Sequence, residues 1–430
     1  MSKYNILLLG SGGREHAIGS HIITSPKCDQ LFVAPGNAGT AQIGTNLDFA
    51  ATDFESIKNA VLAHNIQMII VGPEDPLVIG IVDRIHQDES LRQIMVFGPE
   101  AAGAQLEGSK AFAKAFMDRA NIPTAAYREF TKEEENEAVE YLNSLPCPIV
   151  IKADGLAAGK GVIIAQTNAE AVGATQEIFA GQFGASGDKI VIEAFLDGIE
   201  FSVFVVTNGD QYAILPVAKD YKKIFEGDKG PNTGGMGAVS PVPFVDDVMM
   251  QKVTERIIEP TLSQLRKDNI PYTGFIFLGL IEVKGEPFVI EYNTRMGDPE
   301  TEVVFPRIKS DMLELFEDLI LGHTIKPLEI DPDFATGIYI VADGYPGDYQ
   351  KGTTIDITKL PEDTTYYHGG VKSGDDGQLL SNGGRVLFIL AKDAILGNAR
   401  KKALAGADAV VMENKFYRRD IGADVDMGNE

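Results

Sequence analysis

Short apolar runs alternate with helical patterns along the first hundred residues of the chain. The runs read YNILLLG, QLFVAPG, QMIIVGP and IMVFGP, and each ends in the glycine or proline residues that favour turns. Strands that alternate with helices in this way predict a parallel sheet with crossover helices. Because ligands of open α/β sheets bind beyond the carboxyl ends of the strands, we expect a binding site near GSGGREH, APGNAGT and GPEDP.

The middle of the chain changes to a pattern of hairpins. One helix is predicted to begin after the N-cap Ser109 and to end at Asn121. Hairpin strands PIVIKA, GVIIA, KIVIEAF and EFSVFVV follow, with the helical segment AEAVGATQEIFAG between the second and the third. After a glycine-rich loop at 226–241 and a helix near 246–267, TGFIFLGLIEV and PFVIEYN predict a further hairpin.

Strand patterns also dominate the last hundred residues, from ATGIYIVADGYPG onward, and predict a smaller separate lobe. The length of 430 residues fits about three domains at roughly 150 residues per domain. A hydrophobic content of 44% and a charged content of 23% are typical of a globular protein rather than a disordered one. We therefore expect an α/β protein of several domains.

The charge of the chain limits its partners. A formal net charge of −24 repels nucleic acids and anionic membranes at long range, so we expect neither as a partner. The apolar stretches are only of strand length, which excludes a transmembrane helix, and no secretory signal is recognisable before the first strand. Cys28 and Cys147 lie far apart in sequence, and we expect reduced thiols in a cytoplasmic protein.

The first turn, GSGGREHA, partly matches a dinucleotide-binding fingerprint. Gly10 and Gly12 fit the G-x-G-x-x-G pattern, but Glu15 occupies the third position and the second strand ends without an acid for the ribose. Free N–H groups at the start of the helix can still bind an anion, and Arg14 and His16 add side-chain donors. The alternative is a tight turn that only reverses the chain.

A second glycine-rich segment, GLAAGKG, is predicted to be a phosphate-covering hairpin. It has three residues between its first glycines and no Ser or Thr after Lys160, so it does not match a P-loop. Lys152 interrupts an apolar strand, where it either pairs with an anion or reaches out to water. Lys110 lies in the first turn of a helix, where a bound anion, or Glu107 nearby, would relieve its conflict with the helix dipole.

The segment PFVIEYNTRMGDPE carries a candidate metal site. Strand alternation places Val289, Glu291 and Asn293 on one face, and carboxylate and amide oxygens suit Mg²⁺ or Mn²⁺. Polar pairs at this spacing are also common on surfaces. A two-residue turn at 284–285 predicts that Glu291 pairs with Leu278.

Taken together, these segments resemble the ATP-grasp ligases and, among them, the glycinamide ribonucleotide synthetase (phosphoribosylamine–glycine ligase) family. The motifs that carry the resemblance follow one another along nearly the whole chain: GGREHA, VAPGNAGT, VGPEDPLV, FGP, QLEGSKAF, IVIKADGLAAGKGV, GPNTGGMGA, EYNTRMGDPET, GYPGDY, NGGRVL and RRDIG. The resemblance implies an N-terminal Rossmann-like domain at 1–103, a two-lobe ATP-grasp region at 104–328 and a strand-rich C-terminal domain at 329–430. Within the ATP-grasp region, a subdomain at about 124–195 would form the mobile ATP lid.

The resemblance also implies a reaction. ATP, glycine and 5-phosphoribosylamine would give glycinamide ribonucleotide, ADP and phosphate through glycyl phosphate, with Mg²⁺ or Mn²⁺, as a step of de novo purine (IMP) biosynthesis. The enzyme that produces phosphoribosylamine would be a transient partner. Two alternatives stay open: an ATP-grasp carboxylase or formyltransferase acting on another purine intermediate, and a nicotinamide-dependent oxidoreductase that uses residues 1–100.

Site residues follow from the matching motifs. The resemblance places ten residues on ATP: Lys110, Lys152, Gly155, Gly159, Lys160, Gly161, Glu193, Phe195, Leu196 and Glu200. Among them, the side chain of Glu193 and the backbone of the hinge residues that follow it would read the base. It places on phosphoribosylamine Gly12, Gly13, Arg14, Glu15, His16, Asn37, Glu74 and Arg385. It places on glycine Asn232, Thr233, Gly234, Arg295 and Asp298, and on the metal Glu291 and Asn293. The expected catalytic side chains are Arg295, Asp298, Asp220 and Lys152.

Overall fold

A parallel sheet begins the chain, as the alternation of strands and helices predicted. The computed structural model describes residues 3–156 and 161–426. Its first elements are β1 Tyr4–Gly10, α1 Gly13–Ile22, β2 Cys28–Pro35, α2 Thr40–Ile43, β3 Thr45–Asn46, α3 Phe54–His64, β4 Met68–Val71, α4 Glu74–Val78, α5 Ile81–Gln87, β5 Met95–Phe97 and α6 Ala101–Gly108. The five strands are parallel in the order β3-β2-β1-β4-β5, so the turns after β1, β2 and β4 lie at one edge.

A small antiparallel sheet follows. Its elements are α7 Lys110–Ala120, β6 Tyr127–Thr131, α8 Glu135–Ser144, β7 Ile149–Ala153, β8 Val162–Ala165, α9 Asn168–Glu177 and β9 Lys189–Ala194. Helix α7 has the predicted boundaries, since Ser109 caps it through the N–H of Phe112 and Asn121 ends it in the left-handed conformation. The sheet, in the order β6-β9-β7-β8, encloses a hydrophobic core of its own that includes Phe130 and Ile151.

The next region builds a second antiparallel sheet and a long helical segment. Its elements are β10 Ile199–Thr207, β11 Tyr212–Ile214, β12 Lys219–Asp220, β13 Lys223–Phe225, β14 Lys229–Asn232, β15 Gly237–Ser240, α10 Asp247–Val253, α11 Glu259–Lys267, β16 Gly274–Val283, β17 Glu286–Asn293, α12 Thr301–Val304 and α13 Met312–Leu321. One sheet has the strand order β11-β10-β16-β17, and β13 and β14 form a separate two-stranded sheet.

The C-terminal sheet is completed by strands from the middle of the chain. The last elements are β18 Phe334–Ala342, β19 Thr354–Asp356, β20 Thr364–His368, β21 Val371–Ser373, β22 Leu379–Ser381, β23 Arg385–Asp393, α14 Leu396–Ala409, β24 Val411–Met412 and β25 Lys415–Phe416. One sheet runs β12-β15-β18-β23-β20, with β25 beside β18, and a smaller one runs β21-β22-β19-β24. The sequence did not predict that β12 and β15 join this sheet, because nothing local to residues 219–240 indicates their distant partners.

The hairpin of β16 and β17 differs from its predicted register. A β-bulge shifts the pairing, so Glu291 lies opposite Gly279 and the predicted pairing with Leu278 is wrong. The extra residue, Ile290, also breaks the expected alternation. Val289 therefore joins Tyr292 in the hydrophobic core instead of sharing a face with Glu291.

A large core joins the N-terminal sheet to the C-terminal sheet. Phe97 at the end of β5 stacks on Phe316 of α13 with ring centroids 4.0 Å apart, and it meets Phe275 of β16 edge-on. The same cluster includes Tyr339 and Phe388 of the C-terminal sheet. None of the helices in the described part of the chain has both the length and the apolar character that crossing a bilayer requires.

The final motif, RRDIG, fastens the C-terminus to the β13–β14 hairpin. Arg418 is 1% exposed, and it donates to the carbonyl oxygen of Lys223 at 3.0 Å and to the carboxylate of Asp228 at 2.8 Å. Its remaining donors pair with Asp420, which accepts the N–H of Gly227. The C-terminal residues thereby fix the hairpin that follows Asp220 and leads to the glycine-rich GPNTGG loop.

Candidate active site

The turn GSGGREHA closes on itself through the side chain of Glu15. Gly12 is the N-cap of α1, and its N–H donates to Oε2 of Glu15 at 2.7 Å. Oε1 of the same carboxylate accepts from Nε of Arg14 at 2.6 Å. A Cβ at Gly10 or Gly72 would lie 2.5 Å or 2.3 Å from this side chain. Glu15 therefore fills the space beneath the turn, where the dinucleotide fingerprint has a third glycine.

Asn37 joins this turn to the C-terminal region. Its Nδ2 donates to the carbonyl oxygen of Ser11 at 2.9 Å and to that of His368 at 2.7 Å. Its Oδ1 accepts from the N–H groups of Gly39 and Thr40. The amide thus holds three segments together at the edge where β1 and β2 end.

His16 lies behind the turn as a neutral ring. Its Nδ1 accepts the N–H of His368 at 3.0 Å, which places the ring proton on Nε2. Burial lowers the pKa of His16 to about 3, with a smaller contribution from His368, and burial lowers the pKa of His368 to about 4. Both rings therefore remain uncharged at neutral pH.

Two arginines and two carboxylates form a network between the N-terminal domain and the segment after β17. Nε of Arg295 lies 3.1 Å from Oε2 of Glu74, and Nη2 of Arg295 donates to Glu107. Nη1 of Arg14 lies 3.9 Å from the same oxygen of Glu74. Burial opposes the charge of Glu74, but Arg295 and Arg14 together lower its pKa to about 2. Burial raises the pKa of Glu107, which also accepts the N–H of Thr294.

A second network centres on Arg385. Its Nη1 lies 3.1 Å from Oδ1 of Asp298 and donates to the carbonyl oxygen of Gly234 at 2.7 Å. Its guanidinium lies over the ring of Tyr339, whose hydroxyl donates to Glu302 at 3.0 Å and also lies 3.2 Å from Asp298. The sequence analysis did not single out Tyr339 or Glu302.

Asp298 and Glu302 are a close carboxyl pair at the start of α1. A Cβ at Gly12 would lie 3.0 Å from Oδ2 of Asp298, and one at Gly13 would lie 2.4 Å from Oε1 of Glu302. Burial and the charge of Asp298 raise the pKa of Glu302 well above its usual range. Burial opposes ionisation of Asp298 as well, but Arg385 holds its pKa below the usual value. Of the two carboxyl groups, Glu302 is therefore the one whose pKa favours the protonated form, and glycine is required where the pair approaches the turn.

Two buried lysines hold the carboxylate of Glu193. Nζ of Lys152 lies 2.8 Å from Oε1 of Glu193, and Nζ of Lys114 lies 3.1 Å from Oε2. Lys152 also donates to the carbonyl oxygen of Ile290, the extra residue of the bulge. Burial lowers the pKa of Lys114 to about 8 although Glu193 opposes the shift. Lys152 therefore pairs with an anion, which was one of the two alternatives that the sequence left open. Lys114 was not among the predicted site residues.

The anion at the start of α7 is Asp154, not Glu107. Oδ1 of Asp154 accepts the N–H of Lys110 at 2.6 Å and that of Ala111 at 3.2 Å. Nζ of Lys110 donates to the carbonyl oxygen of Gly155. Glu107 pairs with Arg295, but its charge, like the charges of Glu291 and Asp154, still opposes the lowering of the pKa of Lys110 by burial.

The remaining predicted ATP contacts are spread over the small sheet and its exit. Gly159 and Lys160 lie outside the described residues. Gly155 has a φ of 101°, which favours glycine, and the carbonyl oxygen of Gly161 accepts from the strand β7. Phe195, directly after β9, is 38% exposed.

A small polar pocket lies between β10, β12 and β17. Glu200, Asp220 and Glu291 line it together with Lys222. Nζ of Lys222 lies 3.0 Å from Oε2 of Glu200 and 3.5 Å from Oδ1 of Asp220. Burial raises the pKa of Asp220, and burial raises that of the neighbouring Glu300 to about 8. Lys222, two residues after Asp220, was not predicted as a site residue.

The glycine-rich loop is anchored to this pocket and to the C-terminal region. The N–H and the hydroxyl of Thr233 both donate to the carbonyl oxygen of Lys222, at 2.7 Å and 2.8 Å. The N–H of Gly234 donates to the hydroxyl of Tyr345 at 2.9 Å. Asn232 ends β14 directly before them.

Glu291 and Asn293 offer the oxygen donors that suit a divalent metal ion. They lie two residues apart after the bulge, Glu291 at the polar pocket and Asn293 at the end of β17. Within residues 3–156 and 161–426, no three His, Cys, Asp or Glu side chains converge as a ready metal cage. Such a pair fits Mg²⁺ or Mn²⁺, which take only a few protein ligands and complete their shells with phosphate oxygens and water.

Family profiles account for most of the chain. The ATP-grasp (A) domain of phosphoribosylglycinamide synthetase matches residues 108–301, the N domain of that family matches 4–107, and its C domain matches 335–424. The match to residues 108–301 defines the protein as an ATP-grasp enzyme. The buried lysines around Glu193 and the carboxylates of the polar pocket are consistent with this class.

Relatives match over almost the full length of the chain. The phosphoribosylamine–glycine ligase of Yersinia pestis is 44% identical over 428 residues, which cover 97% of this chain and 98% of that protein. A crystal structure of the phosphoribosylamine–glycine ligase from Thermotoga maritima superposes with a TM-score of 0.85 at 37% identity, covering 97% of this chain and all of that one. The chain belongs to the phosphoribosylglycinamide synthetase family.

The fold extends beyond that family. The biotin carboxylase domain of Hydrogenobacter thermophilus 2-oxoglutarate carboxylase, solved with MgADP, has a TM-score of 0.73 at 15% identity and covers 97% of this chain and 92% of that chain. At this level of identity the likeness concerns the architecture alone, and it confirms the ATP-grasp fold class.

The neutral state of the two buried histidines can be measured directly. We expect nitrogen-15 NMR of the imidazole rings to show His16 as the Nε2–H tautomer at pH 5, because burial holds its pKa near 3 and the N–H of His368 occupies Nδ1. His323, whose side chain is 61% exposed, is the internal reference. Between the unfolded pKa of about 6.5 and the folded values, the unfolded chain binds more protons, so stability should decline as pH falls. Protonation of His16 near pH 6.5 in the folded chain would contradict the assignment.

Proposed function

We propose that this chain is the ATP-dependent ligase that joins glycine to 5-phosphoribosylamine, giving glycinamide ribonucleotide, ADP and phosphate in de novo purine biosynthesis. The observation that carries the proposal is the match to phosphoribosylamine–glycine ligase across 97% of the chain at 44% identity. The arrangement of charge supports it, because buried lysines and a polar pocket lie in the ATP-grasp region, while Arg14 belongs to the turn at α1 and Arg385 pairs with Asp298 beside that turn. The lysines and the polar pocket suit ATP, and the turn at α1 suits a phosphorylated amine.

ATP is assigned to the cleft between the small sheet and the β10–β17 sheet. Lys110 and Lys152, with the backbone of the hairpin at 155–161, would hold the phosphates. Glu193, Phe195 and Leu196 would hold the adenine, and Glu200 would hold the ribose. Support comes from the burial of Lys152 and from the exposure of Phe195 directly after β9. The subdomain at about 124–195, which has its own hydrophobic core, would move as the lid over ATP.

Glu291 and Asn293 are assigned to Mg²⁺ or Mn²⁺. Their oxygen donors fit either ion, and the ion, when bound with ATP, neutralises phosphate charge. Asp220 lies in the same polar pocket as Glu291, where its carboxylate would orient the amino group of glycine.

Arg295 is assigned to the carboxylate of glycine. The carboxylate oxygen attacks the γ-phosphorus of ATP, ADP leaves, and glycyl phosphate forms. Glu74 and Glu107 hold the guanidinium of Arg295 in place. The loop at 232–234 would close over glycine and exclude the water that hydrolyses an acyl phosphate.

Phosphoribosylamine is assigned to the turn at the start of α1. The N–H groups of Gly12 and Gly13 with Arg14 and Arg385 would bind its phosphate, and Glu74 would bind its ribose hydroxyls. Asp298, held as a carboxylate by Arg385, would accept a proton from the amine as the amine attacks glycyl phosphate and phosphate leaves. Glu15, His16 and Asn37 would hold the turn in shape, since each is engaged by its neighbours.

Three further expectations belong to this proposal. The three domains would divide at about 103–104 and 328–329. The protein would act in the cytoplasm, and it would receive the unstable amine through transient contact with the enzyme that makes it. The division into three domains is supported by family profiles that change at 107–108 and between 301 and 335.

The reaction can be tested by the release of ADP. With ATP, Mg²⁺ and freshly formed phosphoribosylamine, we expect ADP to appear only when glycine is present, because glycine supplies the attacking carboxylate. Bicarbonate and formate in place of glycine are the controls for a carboxylase or a formyltransferase. Release of ADP that does not depend on glycine would overturn the proposal.

The two substrate sites can be separated by substitution. We expect Arg385→Ala and Arg14→Ala to raise the apparent KM for phosphoribosylamine about 10-fold to 100-fold, the value of a charged hydrogen bond, with the KM for ATP nearly unchanged. Lys152→Met is the matched substitution at the proposed ATP site, and it should raise the KM for ATP instead. Steady-state kinetics measures both constants, on variants whose unfolding transitions are unchanged. If Arg14→Ala and Arg385→Ala raised the KM for ATP instead, the turn at α1 would be part of the nucleotide site.

A further inference from the structure

Lys222 occupies the polar pocket that the proposed function gives to the metal ion. Three strands contribute carboxylates to this pocket: Glu200 from β10, Asp220 from β12 and Glu291 from β17. The ammonium group of Lys222 lies within 3.5 Å of two of them. The carboxylates would otherwise repel one another at this distance, so a cation is needed to hold them together.

The neighbouring lysines are engaged elsewhere. Lys219 pairs with Asp424 at 3.0 Å and lies over the ring of Tyr221. Lys152 is held by Glu193 and by the carbonyl oxygen of Ile290. In the part of the chain that the structure describes, the ammonium paired with the carboxylates of the pocket is therefore that of Lys222.

The backbone of Lys222 is held by neighbouring residues, whereas its side chain is partly exposed. Thr233 donates twice to its carbonyl oxygen, and the next residue, Lys223, is held by Arg418. The side chain itself is 43% exposed, and its charged end pairs with Glu200 and Asp220. It can therefore leave the carboxylates without any change in the fold.

We propose that Lys222 is a built-in counter-cation that keeps free divalent metal ions out of this pocket and moves to the phosphates when a nucleotide brings the metal. A divalent ion that arrives alone must displace the ammonium and leave it without a partner. A nucleotide supplies phosphate oxygens that accept charge-assisted hydrogen bonds from the ammonium, which then leaves Glu200 and Asp220 and withdraws its positive charge from the pocket beside Glu291. Metal and nucleotide consequently bind together rather than one after the other.

This inference rests on the proposed function in one respect, because it takes Glu291 and Asn293 as the metal ligands. Its test needs neither glycine nor phosphoribosylamine. Failure of the ligase assay and failure of the metal measurement are therefore distinguishable.

The test measures binding of Mn²⁺ to the full chain without nucleotide, from the electron paramagnetic resonance signal of free Mn²⁺. We expect Lys222→Met to bind Mn²⁺ about tenfold more tightly than the wild-type chain, because the competing positive charge is gone. Lys222→Gln is a second neutral variant, which decides the matter if the first does not fold. With ADP added, both neutral variants should bind the Mn²⁺–ADP pair several-fold more weakly than the wild type, since the phosphates lose a donor.

Two control variants separate charge from a general effect of substitution. Lys222→Arg keeps the cation and should exclude free Mn²⁺ as the wild type does. Lys229→Met removes an exposed lysine from the partner strand of the same hairpin and should change neither measurement. Free Mn²⁺ that binds the neutral variants no more tightly than the wild type would overturn the proposal. Unchanged affinity for Mn²⁺–ADP would overturn the transfer of the ammonium to the phosphates.

Discussion

Charge pairing inside a largely buried cleft is the constraint on which the structure depends. Ionised groups there are stable only when each has a partner of opposite charge or a shared proton. The protein meets this condition in separate groups: Glu193 between two lysines, Glu74 beside two arginines, and Asp298 between Arg385 and Glu302, whose pKa is raised. Each group keeps a cation in place that a substrate phosphate or carboxylate can use, so the cleft is organised before any ligand binds.

The fold supplies these partners from distant parts of the sequence. Two strands of the central region complete the C-terminal sheet, and this brings the loop at 232–234 against Arg385. Asn37 joins the first turn to the strand that ends at His368, and Arg418 ties the C-terminus to the β13–β14 hairpin. The cleft therefore belongs to all three parts of the chain, which explains why the matching motifs run from the first strand to the last residues.

The sequence predicted what is local and missed what is tertiary. The parallel sheet, the boundaries of α7 and the order of the hairpins follow from periodicity, caps and turn residues, which act over a few residues. The bulge at Ile290 has no such signal, and it moved Glu291 opposite Gly279. Lys114, Lys222 and Glu302 lie four, two and four residues from predicted site residues. Their partners Glu193, Glu200 and Tyr339 are remote, so spacing alone could not select them. Family motifs supplied the reaction, which the charge pattern by itself did not define.

The central claim is that the carboxylate of glycine is activated as an acyl phosphate between the two halves of this cleft. The most direct measurement uses glycine with both carboxylate oxygens replaced by oxygen-18, together with ATP, Mg²⁺ and phosphoribosylamine, and mass spectrometry of the released phosphate. Attack on the γ-phosphorus followed by displacement by the amine transfers one labelled oxygen to each phosphate and leaves one in the amide. Phosphate without oxygen-18, formed together with the amide product, would contradict the account.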